Sequence, residues 1–338
     1  MKENNFKLEI NAFDVIRYFA AFSVMLLHYT YYAMELSGQK TGVLRGIRTI
    51  TEIFPGVVIL FTLSGFLISA SFERCKSKKE FFVKRIFRLY PELWLCTLVN
   101  LVVVIILVRE KLDGSILLWI CTQVVGIANT PSCLKDFATG SINGSLWTIF
   151  TEVQLYVVLG VTYPWLKKLK KKGWLTLLSG SAGLNLMCKC ITDHMSGFVD
   201  KMVERVFLPY LIWFLIGVFC YQNREWIVWK VKKYIWIPIL IFAINQGFHF
   251  CSYGYYEDII TSITLPFIII GLAYTLPAIR IKCDLSYGMF LYHWIVLNVM
   301  VYFNVFGYMP WPICVIIFIS VTILTAWLSR YLVRKTCI

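Results

Sequence analysis

Long apolar runs separated by short polar segments dominate the chain. Ten of these runs approach the roughly 20 residues that an α-helix needs to cross a bilayer. They lie near residues 11–33, 53–72, 91–108, 145–166, 174–191, 205–221, 234–250, 259–277, 287–306 and 311–329. The pattern therefore predicts an all-α, polytopic membrane helix bundle with about ten transmembrane helices.

An eleventh apolar run, at 116–129, is shorter and ends in the polar, glycine-rich stretch Asn129–Gly144. If this run crossed the membrane, the basic cluster Lys167–Lys172 would fall on the outer side. If it does not cross, every basic cluster falls on one side. Because basic residues concentrate in cytoplasmic loops, we predict that this run is re-entrant or interfacial.

Composition excludes a soluble globular protein, because 59% of the 338 residues are hydrophobic and only 15% are charged. A net charge of +14 would suggest nucleic acid in a soluble protein, but here 23 of the 33 Lys and Arg residues lie on the predicted inner side. This asymmetry places both termini in the cytoplasm. We therefore expect a multi-pass protein of the plasma (inner) membrane with one membrane domain over 1–338, in contact with lipids and not with nucleic acid.

The eleven cysteines do not indicate a metal site. Most are scattered through apolar runs, where a free cysteine behaves as a small hydrophobic residue. The pair Cys188 and Cys190 lacks a second pair of ligands, so we expect no bound metal. The sequence leaves open whether Cys133 and Cys251, both on the predicted outer side, form a disulfide.

Ionisable side chains inside the predicted spans are the candidates for chemistry. Each costs at least about 2.5–3.5 kcal/mol to insert into the membrane, so such residues usually have a function or a partner. The set consists of Asp14, Arg17, His28, Glu92, Glu152, His249 and His293. Of these, His249 lies near the outer boundary and is expected to be interfacial.

Arg17 and His28 are eleven residues apart in the first predicted helix, which places them on one face, about 16 Å apart along the axis. One residue could hold one end of a long ligand while the other acts further along. The alternative is that Arg17 extends to the inner interface and His28 is a hydrogen-bonded packing residue. Asp14 precedes Arg17 by three residues, so we expect it to pair with the guanidinium.

Five segments resemble, in order, the motifs of the membrane acyltransferase 3 family, in which an Arg and a His are separated by ten residues in the first helix. The segments are FDVIRYFAAFSVMLLHY (Phe13–Tyr29), GVVILFTLSGFLIS (Gly56–Ser69), FVKRIFRLYPELW (Phe82–Trp94), NGSLWTIFTEVQLY (Asn143–Tyr156) and YGMFLYHWIV (Tyr287–Val296). The resemblance covers most of the chain.

This resemblance implies a membrane acyltransferase that transfers acyl groups, most often acetyl, from coenzyme A donors to hydroxyls of cell-surface glycans. It implies that Arg17 and His28 are essential and that Arg85 and Arg88 belong to an inner basic motif. It also matches Glu152 to the acidic position that follows the SLW motif, and His293 to a histidine in the last third.

The chemistry of acyl transfer agrees with a role for the first-helix pair. Removal of the acceptor hydroxyl proton requires a base with a pKa near neutrality, which histidine has when unperturbed. We expect His28 to be this base or a nucleophile that forms an acyl-histidine, and the sequence does not distinguish the two. Arg17 could bind the donor or stabilise the developing oxyanion, and its inner position favours donor placement.

Lys84, Arg85 and Arg88 could bind the phosphates of CoA at the cytoplasmic mouth. Positive-inside loops also carry such clusters simply to set orientation, and that interpretation stays open. Glu152 could orient a histidine or bind acceptor hydroxyls, with a structural ion pair as the alternative. His293 could line the donor channel or pack in the core.

We therefore expect a membrane O-acyltransferase that takes acetyl-CoA or another acyl-CoA and modifies a hydroxyl of a glycan or lipid-linked sugar. The alternative class is a transporter or flippase for polysaccharide or lipid-linked sugar, although the inverted repeats typical of transporters are not evident. Ser64 and Gly65 lack the G-x-S-x-G pattern of a nucleophilic serine, so close helix packing explains them better.

Overall fold

The structure is a computed structural model that describes residues 11–36, 38, 41–195, 197–279 and 281–336. Within these ranges the chain forms α-helices and three short 3-10 helices, with no strand. The helices are α1 (Phe13–Leu36), α2 (Gly42–Ile53), α3 (Gly56–Glu73), α4 (Lys78–Val108), α5 (Ser115–Val124), α6 (Leu146–Leu166), α7 (Lys171–His194), α8 (Phe198–Arg205), α9 (Leu211–Gln222), α10 (Arg224–Tyr234), α11 (Trp236–Phe248), α12 (Ile259–Thr275), α13 (Ser286–Tyr302), α14 (Val305–Tyr308) and α15 (Trp311–Thr336). The all-α prediction is confirmed for this part of the chain.

Nine of the ten predicted apolar runs each overlap one long helix, and the run at 205–221 covers the end of α8, a 3-10 helix and α9. Apolar runs favour helices because the backbone polar groups of a helix bond internally. Local polar residues fix some helix boundaries. The Thr41 hydroxyl accepts a hydrogen bond from the Leu44 N–H at 3.3 Å at the start of α2. Asp258 accepts one from the Thr261 N–H at 2.8 Å at the start of α12. Both are N-caps that satisfy an otherwise unpaired backbone donor.

Four helical segments of the described chain are long and apolar enough to cross a membrane: Gly42–Glu73, Lys78–Lys111, Leu146–Leu166 and Trp311–Val333. A fifth arises if Val199–Arg205 and Leu208–Gln222, which meet at a bend of 48°, count as one span. The coarser prediction of a helical membrane protein therefore agrees with the structure.

The count of ten spans is not confirmed. Helices α11 and α12 have 13 and 17 residues, which at 1.5 Å per residue gives lengths of about 20 and 26 Å, against about 30 Å of hydrocarbon. The prediction that both termini are cytoplasmic concerns residues 1–10 and 337–338, which lie outside the described residues.

The eleventh run forms α5, a helix of ten residues. Such a helix is about 15 Å long and is too short to cross the hydrocarbon core. It packs on α4, where the Trp94 indole N–H donates to the Val124 carbonyl at 2.9 Å. Trp119 of α5 is fully buried in an apolar cluster with Val104 and Phe137. These contacts attach α5 to the side of another helix, which agrees with a segment that does not span.

The described residues divide into two compact units. The first takes residues up to Ala20, together with Val57–Phe82 and Thr151–Lys282, and the second takes Ala21–Gly56, Val83–Phe150 and the residues from Cys283 onward. Helices α1, α4 and α6 therefore contribute residues to both units.

Glycines allow two helices of the first unit to pack closely. A Cβ added to Gly65 of α3 would lie 2.0 Å from the Phe214 carbonyl oxygen of α9, and one added to Gly217 would lie 2.2 Å from the Thr62 carbonyl oxygen. Small residues at such contacts let helix backbones approach each other. The interpretation of Gly65 as a packing residue is confirmed.

In the second unit, α13 packs along α15. The Tyr292 hydroxyl donates to the Ser329 hydroxyl oxygen at 3.0 Å across this contact. Cys133 of this unit and Cys251 of the first unit are both free thiols, so the disulfide that the sequence left open is not formed. The buried α13 carries the residues around which the candidate site is built.

Candidate active site

The second unit brings together two histidines that are 265 residues apart in the sequence. His28 Nδ1 and His293 Nε2 are 3.0 Å apart, and the rings are stacked with 5.2 Å between their centroids. His293 is fully buried, with no exposed surface, whereas His28 is partly exposed. The contact joins α1 to α13 and makes His28 the accessible member of a histidine pair.

The hydrogen bonds define which ring nitrogens carry protons. His293 Nδ1 lies 2.8 Å from the Phe290 carbonyl oxygen, which can only accept, so Nδ1 must carry the proton. In a neutral ring, His293 Nε2 is then an acceptor, and the proton between the two histidines belongs to His28 Nδ1. The remaining nitrogen of a neutral His28, Nε2, therefore has an available lone pair.

Trp294 holds the ring of His28 from a second direction. The edge-to-face contact between the two rings has a centroid distance of 4.6 Å. The indole N–H donates to Thr139 Oγ1 at 3.1 Å and to the Ser141 carbonyl at 3.0 Å, which fixes the orientation of the indole. A Cβ on Gly144 would lie 2.5 Å from the same indole, so the loop before α6 passes directly against Trp294.

Asn298, one turn beyond Trp294 on α13, clamps this loop. Its Nδ2 donates to the carbonyls of Ser141 and Ile142 at 2.9 and 3.0 Å. Its Oδ1 accepts from the Thr139 N–H at 3.2 Å and from the Thr139 hydroxyl at 2.7 Å. Asn298 is completely buried, and a buried amide whose donors and acceptor are all used specifies one arrangement of its neighbours.

A second amide, Asn143, fixes the end of the same loop. Its Nδ2 donates to the Leu291 carbonyl of α13 at 3.0 Å, and its Oδ1 accepts from the Ser145 hydroxyl at 2.7 Å. The loop preceding α6 is therefore attached to α13 on both sides of Trp294, although it has no regular secondary structure of its own.

Glu92 is buried in α4, with 4% of its surface exposed. A Cβ on Gly288 of α13 would lie 2.6 Å from Glu92 Oε1, so the carboxyl group lies directly against that helix. Arg330, Asp284 and Arg88 are the charged groups that act on it electrostatically. The side chain of Glu92 therefore lies in the contact between α4 and α13.

Arg17 lies in the part of α1 that belongs to the first unit. Its guanidinium is 3.6 Å from the Asp14 carboxylate, and 16% of its side chain is exposed. The predicted i,i+3 pair is therefore confirmed. Arg17 and His28 both lie in α1, which runs from Phe13 to Leu36.

Glu152, also in the first unit, accepts hydrogen bonds from hydroxyl groups. The Ser64 hydroxyl donates to Glu152 Oε1 at 2.9 Å, and the Tyr156 hydroxyl, one turn along α6, donates to the same oxygen. Hydrogen bonds of this kind stabilise a carboxylate that is partly removed from water.

Lys84, Arg85 and Arg88 lie in the first half of α4. Lys84 and Arg88 are exposed and Arg85 is half-buried, so the cluster is accessible to a large anion. No group of three or more His, Cys, Asp or Glu side chains within the described ranges is placed to hold a metal ion.

The residues that support His28 were not among those predicted from the sequence. Trp294 and Asn298 follow His293 on α13, and Thr139 and Ser141 lie in the polar, glycine-rich stretch Asn129–Gly144. One available signal was Asn298, an amide in the middle of an apolar run, where an unpaired polar group would be costly. The contact between His28 and His293 had no local signal, because it depends on how distant helices pack.

Comparisons with known proteins agree along nearly the whole chain. A family model described as an acyltransferase domain matches residues 10–330. Nodulation protein 10 of Rhizobium leguminosarum bv. viciae is 24% identical over 310 residues, which cover 86% of this chain and 84% of that protein. The O-acetyl transferase of Shigella phage Sf6 is 26% identical over 317 residues, which cover 89% of this chain and 88% of that protein. No solved structure matches the chain.

Proposed function

We propose that this chain, which belongs to the acyltransferase 3 family, is a membrane O-acetyltransferase. Its acceptor would be a hydroxyl group of a cell-surface glycan or lipid-linked sugar. Family membership makes the chain an acyltransferase. The similarity to a protein named O-acetyl transferase favours acetyl as the group transferred and an oxygen as its acceptor. Acetyl-CoA is the proposed donor, because basic side chains of α1 and α4 could bind its phosphates.

The observation that carries this proposal is the hydrogen-bonded pair of His28 and His293. A buried histidine, itself bonded to a backbone carbonyl, accepts the Nδ1 proton of His28 and holds its ring in one orientation. The Nε2 lone pair of His28 is then available for chemistry. A base oriented by a second group is the arrangement that general-base and nucleophilic catalysis both require.

Acting as a general base, His28 Nε2 would take the proton of the acceptor hydroxyl while that oxygen attacks the thioester carbonyl. The tetrahedral intermediate would then expel the CoA thiolate, which takes the proton back from His28. The products are an O-acetyl ester and CoA, and His28 returns to its starting state.

Acting as a nucleophile, His28 Nε2 would attack the carbonyl itself and release CoA, leaving an acetyl-imidazole. The acceptor hydroxyl would then attack this intermediate, forming the O-acetyl ester and restoring the neutral ring, and its proton would pass to the released CoA thiolate. The hydrogen bond to His293 suits both routes, since the imidazolium or acyl-imidazolium that forms keeps its Nδ1–H donor.

The basic residues would bind the donor. We propose that Arg17, eleven residues before His28 in the sequence, places the donor, with Asp14 orienting its guanidinium. Lys84, Arg85 and Arg88 of α4 would bind the CoA phosphates. We propose that Glu152, which already accepts two hydroxyl hydrogen bonds, would accept one from an acceptor hydroxyl.

The same proposal includes the topology. We propose ten spans, with α5 lying beside them, one functional domain over 1–338, and both termini in the cytoplasm of a plasma (inner) membrane. This orientation would supply acetyl-CoA from the cytoplasm, and it rests on the concentration of Lys and Arg in the predicted inner segments.

Purified protein in lipid nanodiscs tests the activity directly. Radiolabelled acetyl-CoA is mixed with the glycan fraction extracted from the expressing cells. The label that becomes attached to carbohydrate is then released by mild alkali and measured. We expect activity for the wild type, and loss of about 10²-fold or more for His28→Ala and Arg17→Ala. His249→Ala, which changes a histidine outside the site, is the matched control. Full activity of both site variants would refute the proposal. Movement of carbohydrate across the membrane of sealed proteoliposomes without CoA release would indicate a transporter instead.

A further inference from the structure

A strip of aromatic side chains leads away from His28 along the end of α1. Trp294 contacts His28 edge-on. Tyr32 follows, with its ring centroid 6.4 Å from that of Trp294, and Tyr31 lies 5.1 Å from Tyr32. All of these residues belong to the second unit. Trp294 orients His28, and Tyr31 and Tyr32 have no part in the proposed reaction.

The strip ends at two charged residues of α2. The guanidinium of Arg48 lies 5.7 Å from the centroid of the Tyr31 ring, within the range of a cation–π contact. Arg48 Nε also donates to Glu52 Oε1 at 2.8 Å. A guanidinium has five N–H donors and this bond uses one of them, while the carboxylate offers several acceptor positions.

The end of the strip that is remote from His28 is accessible to solvent. Tyr31 is 47% exposed, and the side chains of Arg48 and Glu52 are 33% and 51% exposed. Tyr32 is half-buried and tied down, because its hydroxyl donates to the Thr139 carbonyl at 3.3 Å. The strip is therefore fixed in position at Tyr32, near His28, and exposed to solvent at Tyr31.

We infer that this strip is the acceptor subsite and that it binds a neutral pyranose ring, with Tyr31 stacked on the sugar and Arg48 and Glu52 bonded to its hydroxyls. This inference rests on the proposed function, because it assigns the residues that would present a sugar hydroxyl to His28. A sugar bound at Tyr31 would lie next to the row of rings that connects Tyr31 through Tyr32 and Trp294 to His28.

The chemistry of the strip favours a sugar over the other possible occupants. A pyranose has apolar C–H faces, which pack on aromatic rings, and a rim of hydroxyls that need both donors and acceptors. An acyl chain would gain nothing from the Arg48–Glu52 pair and would have to desolvate it. A polyanion would be repelled by Glu52, and the pair as a whole has no net charge.

Steady-state kinetics in nanodiscs separate this subsite from the donor site. With the glycan fraction of the expressing cells as acceptor, Tyr31→Ala should raise the KM for glycan about tenfold and leave the KM for acetyl-CoA unchanged, as expected for loss of one stacking contact. Tyr31→Phe keeps the ring and should stay within about twofold of the wild type. Tyr308→Ala, at a tyrosine that is 81% exposed on α14, is the matched control.

Binding without donor distinguishes failure of the subsite from failure of the proposed function. Affinity of the same glycan fraction, measured in the absence of acetyl-CoA, should fall in Tyr31→Ala and not in Tyr308→Ala. If glycan binds through Tyr31 but is never acetylated, the subsite stands and the proposed function fails. If Tyr31→Ala leaves the glycan affinity and KM unchanged, or weakens acetyl-CoA equally, the subsite is wrong.

Discussion

At the scale of single residues, the site depends on the state of two imidazole rings. A carbonyl group, which can only accept, determines the tautomer of His293, and His293 in turn determines that of His28. The available lone pair on His28 Nε2 is therefore a property of three groups in series. His28 alone, placed on an apolar helix, would have no defined orientation.

Replacing His293 should affect the rate more than the amount of folded protein. In His293→Leu the Nδ1–H of His28 loses its acceptor, so we expect kcat to fall about 10²-fold or more. His293→Gln offers a side-chain oxygen at a similar reach and should retain more activity than the leucine variant. Equal kcat values for His293→Leu and the wild type, in protein with unchanged thermal stability, would contradict the role of His293 as the acceptor that orients His28.

The intermediate can be trapped with the same protein. In a rapid quench with radiolabelled acetyl-CoA and no acceptor, the acetyl-histidine route predicts label attached to the wild type and none on His28→Ala. The general-base route predicts no label on either protein. The His249→Ala variant should behave as the wild type does, since it leaves the nucleophile in place.

Asn298 should be important for stability, because it makes four hydrogen bonds to the loop, three to its backbone and one to the Thr139 hydroxyl. Asn298→Asp replaces its two N–H donors with an oxygen that faces the Ser141 and Ile142 carbonyls. We expect a loss of about 1–3 kcal/mol in the free energy of unfolding, the cost of one buried carbonyl left unpaired. The Ile142 carbonyl loses its Asn298 donor, whereas the Ser141 carbonyl keeps the Trp294 indole N–H. Thermal or denaturant unfolding in detergent measures it.

The control for this change is Asn304→Asp, at an exposed position with a left-handed backbone that aspartate tolerates. Its effect should stay within about 0.5 kcal/mol, as for other surface substitutions. A similar, small effect in both variants would show that the bonds from Asn298 to the loop contribute little to stability.

At the scale of helices, close approach depends on glycines that the hydrophobic pattern does not distinguish from other small residues. Gly65 of α3 and Gly217 of α9 lie where a Cβ would meet a backbone carbonyl, which cannot move aside as a side chain can. Gly180 of α7 has no heavy atom within 4 Å of the same position. The three glycines look alike in sequence and differ only in what packs against them.

Alanine substitutions should distinguish a glycine at a close helix contact from a glycine that has space around it. Gly65→Ala and Gly217→Ala should each lower the free energy of unfolding by about 1–3 kcal/mol or more, because the helices must move apart. Gly180→Ala should be neutral or stabilise by up to about 1 kcal/mol, from the higher helix propensity of alanine. Unfolding monitored in detergent tests this, and a destabilised Gly180→Ala with an unaffected Gly65→Ala would contradict the packing.

At the scale of the whole molecule, the open question of topology is the number of crossings. Helix length and composition support four or five spans within the described residues, whereas the distribution of basic residues favours ten. The difference arises because helices such as α11 and α12 are shorter than the hydrocarbon core. Such helices can still cross if the bilayer thins locally or if polar residues at their ends extend to the headgroups.

Labelling of single cysteines tests the ten-span topology. Cys75 lies between α3 and α4, on the proposed inner side, and Cys251 lies between α11 and α12, on the proposed outer side; both are partly exposed. In intact cells a membrane-impermeant maleimide should label a variant that keeps only Cys251 and should not label one that keeps only Cys75. Permeabilised cells should give label on both, and the reverse pattern in intact cells would overturn the orientation.

The amino-acid sequence by itself determined the class of the protein. Apolar runs near the length of a membrane crossing predicted the helices, and the motif order predicted a family that the comparison then matched over residues 10–330. It also predicted the pair of Asp14 and Arg17. These features are local, because helix formation and i,i+3 pairing depend on neighbouring residues.

Only the tertiary structure decided what surrounds His28. Its pairing with His293, the edge of Trp294 and the loop held by Asn298 join segments that are more than a hundred residues apart. The hydrophobic pattern of a segment indicates that its helix is buried. It does not indicate which helix packs against it, because many arrangements of helices would bury the same apolar residues. The partner of a given side chain follows from how the helices pack together, and that arrangement is set by the sum of all their contacts.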